Sequence, residues 1–213
     1  MSSSPSFLDP VVLPLIKGNI ILDVACGYGR WGCLLRTNYF EWGLSEPPVV
    51  DAFDVFEANV KHAEKMGVYR NVWQNELPCA LPGETYNTIL ASEVLEHLPL
   101  SVVPQVLDEF EARAIDRVVV TTPNFECLRG GSDTFLGMNQ FDAHLSFIPP
   151  EWLKKRGYKI LGAGFGNPRT IQSRILGRCL GLLGVRNTSN LYSLSTYAPS
   201  LANLTVAYKD CRP

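Results

Sequence analysis

The chain has 213 residues and a formal net charge of −2, and it is 46% hydrophobic, 19% charged and 10% aromatic. That is enough chain for one large domain with its own core, and the balance excludes a disordered tail, a collagen-like repeat and a polyelectrolyte. No run approaches the ~18–20 consecutive apolar residues that span a bilayer, and Met1-Ser2-Ser3-Ser4-Pro5-Ser6 lacks the basic flank and apolar stretch of a signal peptide, so the expectation is a cytoplasmic protein.

Six cysteines (Cys26, Cys33, Cys79, Cys127, Cys179, Cys211) are scattered without a Cys-x-x-Cys pair. Their number and spacing suit neither a disulfide scaffold nor a structural zinc site, and reduced thiols are expected. Charge is unevenly distributed: residues 1–150 hold 9 Lys and Arg against 19 Asp and Glu, whereas residues 151–213 hold 10 against 2. A basic flank beside an acidic body would attract an anionic substrate, a nucleic acid or a membrane surface, and solvated helices give the same pattern.

In chain order, strands are predicted at Asn19 to Asp23, Val49 to Phe53, Asn71 to Asn75, Tyr86 to Ala91, Arg117 to Thr121, Tyr158 to Phe165 and Leu201 to Tyr208. Helical patterns fall between them at Tyr28 to Arg36, Glu57 to Lys65, Val102 to Ala114, Pro150 to Lys155 and Ile171 to Leu183. This alternation predicts an α/β domain, one seven-stranded, largely parallel sheet with helices on both faces, because right-handed crossovers return each helix to the sheet. Ligands of such sheets bind at the carboxyl ends of the strands. Residues 1–16 are left as an N-terminal extension, and residues 122–149, without strong periodicity, as a substrate lid.

The first strand runs Ile20-Ile21-Leu22-Asp23 into Val24-Ala25-Cys26-Gly27-Tyr28-Gly29-Arg30-Trp31-Gly32, a strand, a glycine turn and a helix start in that order. Gly27 and Gly29 allow a tight turn and a ligand close to the main chain. Gly27-x-Gly29-x-x-Gly32 also matches a dinucleotide fingerprint, and Asp54 lies about where a ribose-binding carboxylate belongs, so spacing alone leaves two nucleoside cofactors open. Asp23 is the discriminating residue. A carboxylate at this turn would repel a pyrophosphate and favour the sulfonium and ammonium of S-adenosylmethionine.

The ordered segments Leu22-Asp23-Val24-Ala25-Cys26-Gly27-Tyr28-Gly29, Ala52-Phe53-Asp54-Val55-Phe56 and Ile89-Leu90-Ala91-Ser92-Glu93-Val94-Leu95-Glu96-His97-Leu98 together resemble class I S-adenosylmethionine-dependent methyltransferases over roughly residues 17–165. The resemblance implies a Rossmann-like sheet of order 3-2-1-4-5-7-6, its last two strands an antiparallel hairpin at one edge. It further implies that Asp23, Ala25, Cys26, Gly27 and Gly29 underlie the methionine half of the cofactor and that Asp54, followed by Val55, takes the ribose hydroxyls. Asn75, Glu76 and Leu77 would lie near the adenine, and Ser92 and Glu93 would border the transferable methyl. Ala25 departs from the pattern, standing where glycine is commoner.

If residues 93–97 are helical, Glu93, Glu96 and His97 share one face. With His144 from the segment Asp142-Ala143-His144-Leu145-Ser146-Phe147 they form a candidate site for a divalent metal such as Mg or Mn. The cluster resembles that of ubiquinone-pathway O-methyltransferases and of small-RNA 3′-terminal 2′-O-methyltransferases, and Thr121-Thr122-Pro123-Asn124-Phe125-Glu126 is similar to their fifth-strand exit. A metal-free site with His144 or His97 as general base, and purely structural roles, stay open beside the metal. Glu93, His97 and His144 are accordingly the catalytic candidates, and His62, between Lys61 and Glu64, reads as solvated.

Phe125, Phe135, Met138, Phe141 and Phe147 give the lid an aromatic, apolar character suited to a flat acceptor or to packing, with Gly130-Gly131 as a hinge. Residues 171–186 combine apolar positions with Arg174 and Arg178, which fits a cover for the sheet or a membrane-surface helix, and Gly177, Gly181 and Gly184 weaken the helix. The expectation is a single-domain methyltransferase acting on a small molecule, most simply at a hydroxyl oxygen. RNA-terminal 2′-O-methylation, nitrogen methylation and a non-catalytic cofactor-binding module are the alternatives. A nucleic acid partner is disfavoured because no separate RNA-binding domain accompanies the modest basic region.

Overall fold

The computed structural model describes residues 4–82, 85–182 and 192–212. Strands β1 (Ile20–Val24), β2 (Val49–Asp54), β3 (Asn71–Gln74), β4 (Tyr86–Ser92), β5 (Ala114–Pro123), β8 (Lys159–Phe165) and β9 (Ala202–Asp210) form one sheet, and β6 (Ser132–Thr134) and β7 (Gly137–Asn139) form a separate hairpin. The sheet order is β3-β2-β1-β4-β5-β9-β8, parallel through β5 and antiparallel at both β9 pairings. With the hairpin set aside, this is the Rossmann-like order 3-2-1-4-5-7-6. The carboxyl ends of β1, β2, β4 and β5 therefore open on one edge.

The strands are nearly continuous apolar runs because both faces are covered. Leu22, Val24, Ile89, Ala91, Val118 and Val120 pack on one side with Val103, Val106, Leu107 and Phe110 of α4 (Val103–Arg113) and Leu153 of α5 (Pro150–Lys155). The alternate residues Ile21, Val50, Leu90 and Val119 face the other side, against Trp31 and Leu35 of α2 (Arg30–Thr37). That second face is closed by the described part of the N-terminal segment, residues 4–16. There α1 (Asp9–Val12) and its flanking 3₁₀ turns bury Leu8, Val11, Val12, Leu13, Leu15 and Ile16, so the segment read as an extension is part of the core. α3 (Glu57–Met66) buries Asn59, Val60 and Ala63 beside β2 and β3.

Helix α6 (Ile171–Leu182) leaves Ile171, Ile175, Leu182, Arg174 and Arg178 exposed, and buries Ser173. The remainder of the candidate membrane segment, residues 183–186, lies outside the described residues. α7 (Tyr192–Tyr197), packed on β8, was not predicted. Among the described residues no helix is long and apolar enough to cross a membrane.

Candidate active site

The glycine turn is held by main-chain bonds. The Gly27 N–H donates to Asp54 Oδ2 and the Phe56 N–H to Asp54 Oδ1, each at 2.9 Å, and the Cys26 N–H reaches the Phe53 carbonyl at 3.0 Å. These bonds tie the β1 and β2 exits together. Gly27 and Gly29 have φ of 55° and 80°, and so does Ala25 at 53°, a left-handed conformation that costs an L-residue roughly 1–2 kcal/mol. The alanine thus adopts a backbone that glycine would take freely.

Asp23 does not face the cavity. It shares the strand parity of Ile21 rather than that of Leu22 and Val24, and so points to the α2 face, where its carboxylate accepts from the Tyr69 hydroxyl at 2.6 Å. Burial pushes its pKa up to about 7, against the lowering effect of the Tyr69 bond. Tyr69 in turn accepts from the Gly32 N–H at 3.2 Å, and a Cβ at Gly32 would lie 2.4 Å from the Tyr69 ring. The third glycine of the motif therefore admits a tyrosine.

A cavity of about 360 Å³ runs along the carboxyl edge of the sheet. Eight of the twelve predicted cofactor residues line it: Ala25, Gly27, Asp54, Val55, Asn75, Glu76, Leu77 and Glu93. Asp23, Cys26, Gly29 and Ser92 do not. Cys26 packs with Ala52 and Ala63, Gly29 abuts Met66, and the Ser92 hydroxyl lies 3.0 Å from those of Ser4 and Thr121. Phe141, expected as a lid aromatic, lines the cavity, and Asn59 and the lid residues Asn139, Gln140, Asp142 and Ala143 line it without having been singled out. Four carboxylates (Asp54, Glu76, Glu93, Asp142) and no Lys or Arg line it among the described residues. Asp23 is thus set apart from the acids that line the cavity.

Residues 93–97 are not one helix. Glu93 has φ of 58°, and only Leu95–His97 forms a 3₁₀ turn, so the shared helical face is not formed and Glu93 stays outside the group of ligand atoms to which Glu96 and His97 contribute. Its N–H bonds to the Thr121 carbonyl at 3.0 Å, and its carboxylate accepts from the Thr121 hydroxyl at 2.9 Å. Burial raises the Glu93 pKa to about 7, although the Thr121 bond opposes the shift. Glu96, His97 and His144 do assemble, with one potential ligand atom from each lying within 4.8 Å of the others.

The two imidazoles meet edge to face, 4.9 Å apart at 80°, and their hydrogen bonds assign both the same tautomer. His97 Nδ1 faces the Ala143 carbonyl at 3.0 Å, so it carries the proton and leaves Nε2 with a lone pair. His144 Nε2 accepts from Arg129 Nη2 at 2.9 Å, which leaves Nδ1 to donate to Cys127 Sγ at 3.2 Å. Burial lowers both pKa values to about 4, helped at His144 by the neighbouring Arg129 charge. Glu96 is 1% exposed, and no hydrogen bond of good geometry reaches its carboxylate, although the Thr122 hydroxyl lies near enough to oppose the upward shift of its pKa. Burial, then the adjacent Glu93 carboxylate, drives its pKa well upward. A buried acid short of hydrogen bonds beside two unprotonated ring nitrogens is a donor set that fits a divalent cation.

The lid is more ordered than its sequence pattern. Arg129 and His144 form a two-way backbone bridge at its neck, and the Leu145 and Ser146 N–H groups donate to the Glu96 carbonyl. At the hairpin tip Phe135 packs on Tyr28, with ring centroids 4.5 Å apart, and on His62, at 5.4 Å. His62 is therefore part of an aromatic contact, contrary to the solvated position expected. Phe141 lines the cavity, whereas Phe125 and Phe147 are half-buried away from it and Met138 is exposed. Gly131 passes so close to Asn139 that a Cβ would sit 2.5 Å from its carbonyl oxygen, which makes Gly131 a close-packing position rather than a free hinge.

Fold and sequence together define the class: the chain belongs to the methyltransferase-domain family, whose model matches residues 5–161. Among curated proteins no match is found. Solved structures share the fold at low identity. A SAM-dependent methyltransferase from Archaeoglobus fulgidus is 17% identical with a TM-score of 0.55, over 95% of this chain and 90% of that one. The magnesium protoporphyrin IX methyltransferase ChlM from Synechocystis PCC 6803 with bound SAH is 14% identical with a TM-score of 0.53, over 95% and 80%. DhpI, in a complex described as DhpI-SAM-HEP, is 15% identical with a TM-score of 0.56, over 98% and 88%.

Proposed function

We propose that the protein is an S-adenosylmethionine-dependent methyltransferase that methylates a hydroxyl oxygen of a small molecule, with a divalent metal at Glu96, His97 and His144. The observation that carries the reading is the cavity with four carboxylates and, among the described residues, no Lys or Arg, which runs from the Gly27–Asp54 turn to His97, with Glu96 and His144 of the cluster outside its lining. Such a lining favours a cationic sulfonium donor and repels a diphosphate. ChlM and DhpI, whose structures contain SAH or SAM, lend the same direction.

The bound donor supplies an electrophilic methyl group. This chain's part is to fix that group and prepare the acceptor. In this reading Asp54, anchored by two backbone N–H groups, holds the ribose hydroxyls, and Asn75, Glu76 and Leu77 border the base. Glu93, locked by Thr121, borders the sulfonium. The lone pairs at Nε2 of His97 and His144 and the buried Glu96 carboxylate would hold the metal, which would lower the pKa of an acceptor hydroxyl. Phe141, Leu98 and Leu145 give the acceptor end an apolar wall.

Thermal stabilisation by S-adenosylhomocysteine, repeated with and without EDTA and followed by metal analysis, tests both layers. Stabilisation is expected, and methyl transfer to small catechols or phenols should fall at least ~10-fold on chelation. No stabilisation overturns the methyltransferase reading. Stabilisation with chelator-insensitive turnover removes the metal and leaves His97 or His144 as the base.

A further inference from the structure

Arg129 is not a solvated surface arginine. Its Nη1 donates to Asp142 Oδ2 at 3.2 Å, and its Nη2 donates to His144 Nε2 at 2.9 Å. Asp142 is 4% exposed, lines the cavity, and also accepts from the Ser132 hydroxyl. Arg129 and His144 exchange backbone hydrogen bonds of 2.9 and 3.3 Å, closing the neck of the lid. One guanidinium thus joins the lid neck, an acid of the cavity wall and an imidazole of the cluster.

The atom it covers matters. His144 Nδ1 is committed to Cys127, so Nε2 carries the ring's remaining lone pair, and Arg129 occupies it. Its positive charge stands where a second cation would have to approach. We propose that Arg129 is a resident counter-cation that competes with a divalent metal for His144, so that metal loading turns its guanidinium off the imidazole and leaves it on Asp142 and the Gly130 carbonyl. The proposal rests on the metal-assisted reading above. It makes Arg129 a positioning residue, one that sets how tightly the cluster takes a cation and ties that occupancy to the neck of the lid.

The test is Mn²⁺ binding, measured by calorimetry and by electron paramagnetic resonance on the full chain. Arg129→Met and Arg129→Gln remove the charge by two routes, so the test survives if one of them fails to fold. Both should bind Mn²⁺ at least about tenfold tighter than the wild type, because a like charge ~4 Å away costs more than that in water-poor surroundings. Arg129→Lys, which keeps the charge, should stay within about threefold of the wild type. The gain should vanish when His144→Ala is added to Arg129→Met. Unchanged or weaker binding in the uncharged variants overturns the proposal while leaving the metal reading intact. So does a gain that persists without His144, which would assign it to the released Asp142. No uptake by the wild type or any variant overturns the metal reading itself.

Discussion

The two ends of the cavity are built by different means. At the Gly27–Asp54 end the geometry is held by backbone groups of adjacent strands, whose parallel register is fixed by the sheet. At the Glu96–His144 end it depends mainly on side chains: Arg129, Cys127, Asp142 and His144 of the lid segment meet Glu96 and His97 of the turn after β4. A main-chain site admits little variation without disturbing the fold. A side-chain site can be retuned by one substitution. This division lets acceptor chemistry diverge among proteins sharing the fold while the donor end persists.

Three variants probe the contrast. The largest effect is expected at the main-chain end. Asp54→Asn turns an amide NH₂ toward a backbone N–H, disrupting charge-assisted bonds worth ~1.5–3 kcal/mol each, so S-adenosylhomocysteine affinity by calorimetry should fall ~100-fold. A change below about threefold would contradict the donor assignment. Asp23→Asn separates the fold-bearing acid from the cavity. Because burial raises the Asp23 pKa from 3.8 to about 7, the folded state holds that proton more tightly than the unfolded chain, and the acid's contribution to stability declines as pH rises from about 4 to about 7. The asparagine variant lacks this decline. Its stability relative to wild type should grow by ~1.4 kcal/mol per pH unit in urea unfolding across that window, with S-adenosylhomocysteine affinity unchanged. A pH-independent difference would refute the placement of the proton. The smallest effect belongs to the lid. Phe135→Ala removes aromatic contacts worth ~0.5–1.5 kcal/mol and should speed S-adenosylhomocysteine dissociation by ~2–10-fold in stopped-flow measurements. An unaltered rate would separate the hairpin tip from donor exchange.

Most of the sheet was legible because buried parallel strands are apolar runs of strand length bounded by turn residues, as at Ile20–Val24 and Val49–Asp54. Asp23 was read as an acid of the cofactor turn, whereas its parity with Ile21, opposite to Leu22 and Val24, turns it to the α2 face. The turn at Glu93 was not legible: its positive φ accompanies bonds to Thr121 on the neighbouring strand, 28 residues away, and a helical period carries no trace of them. Nor was the role of residues 4–16, where Pro5, Pro10 and Pro14 break the segment into short turns whose apolar side no periodicity reveals. Arg129 had no local signal, because its partners Asp142 and His144 reach it only through the folded lid.

The hairpin tip joins two parts of the chain that the sheet alone would leave independent. Phe135 belongs to the same lid segment as the cavity-lining residues Asn139, Gln140, Phe141, Asp142 and Ala143, yet its ring rests on Tyr28 of the glycine turn and His62 of α3. Lifting the segment therefore has to break an aromatic contact on the glycine turn as well, so that the two are mechanically yoked.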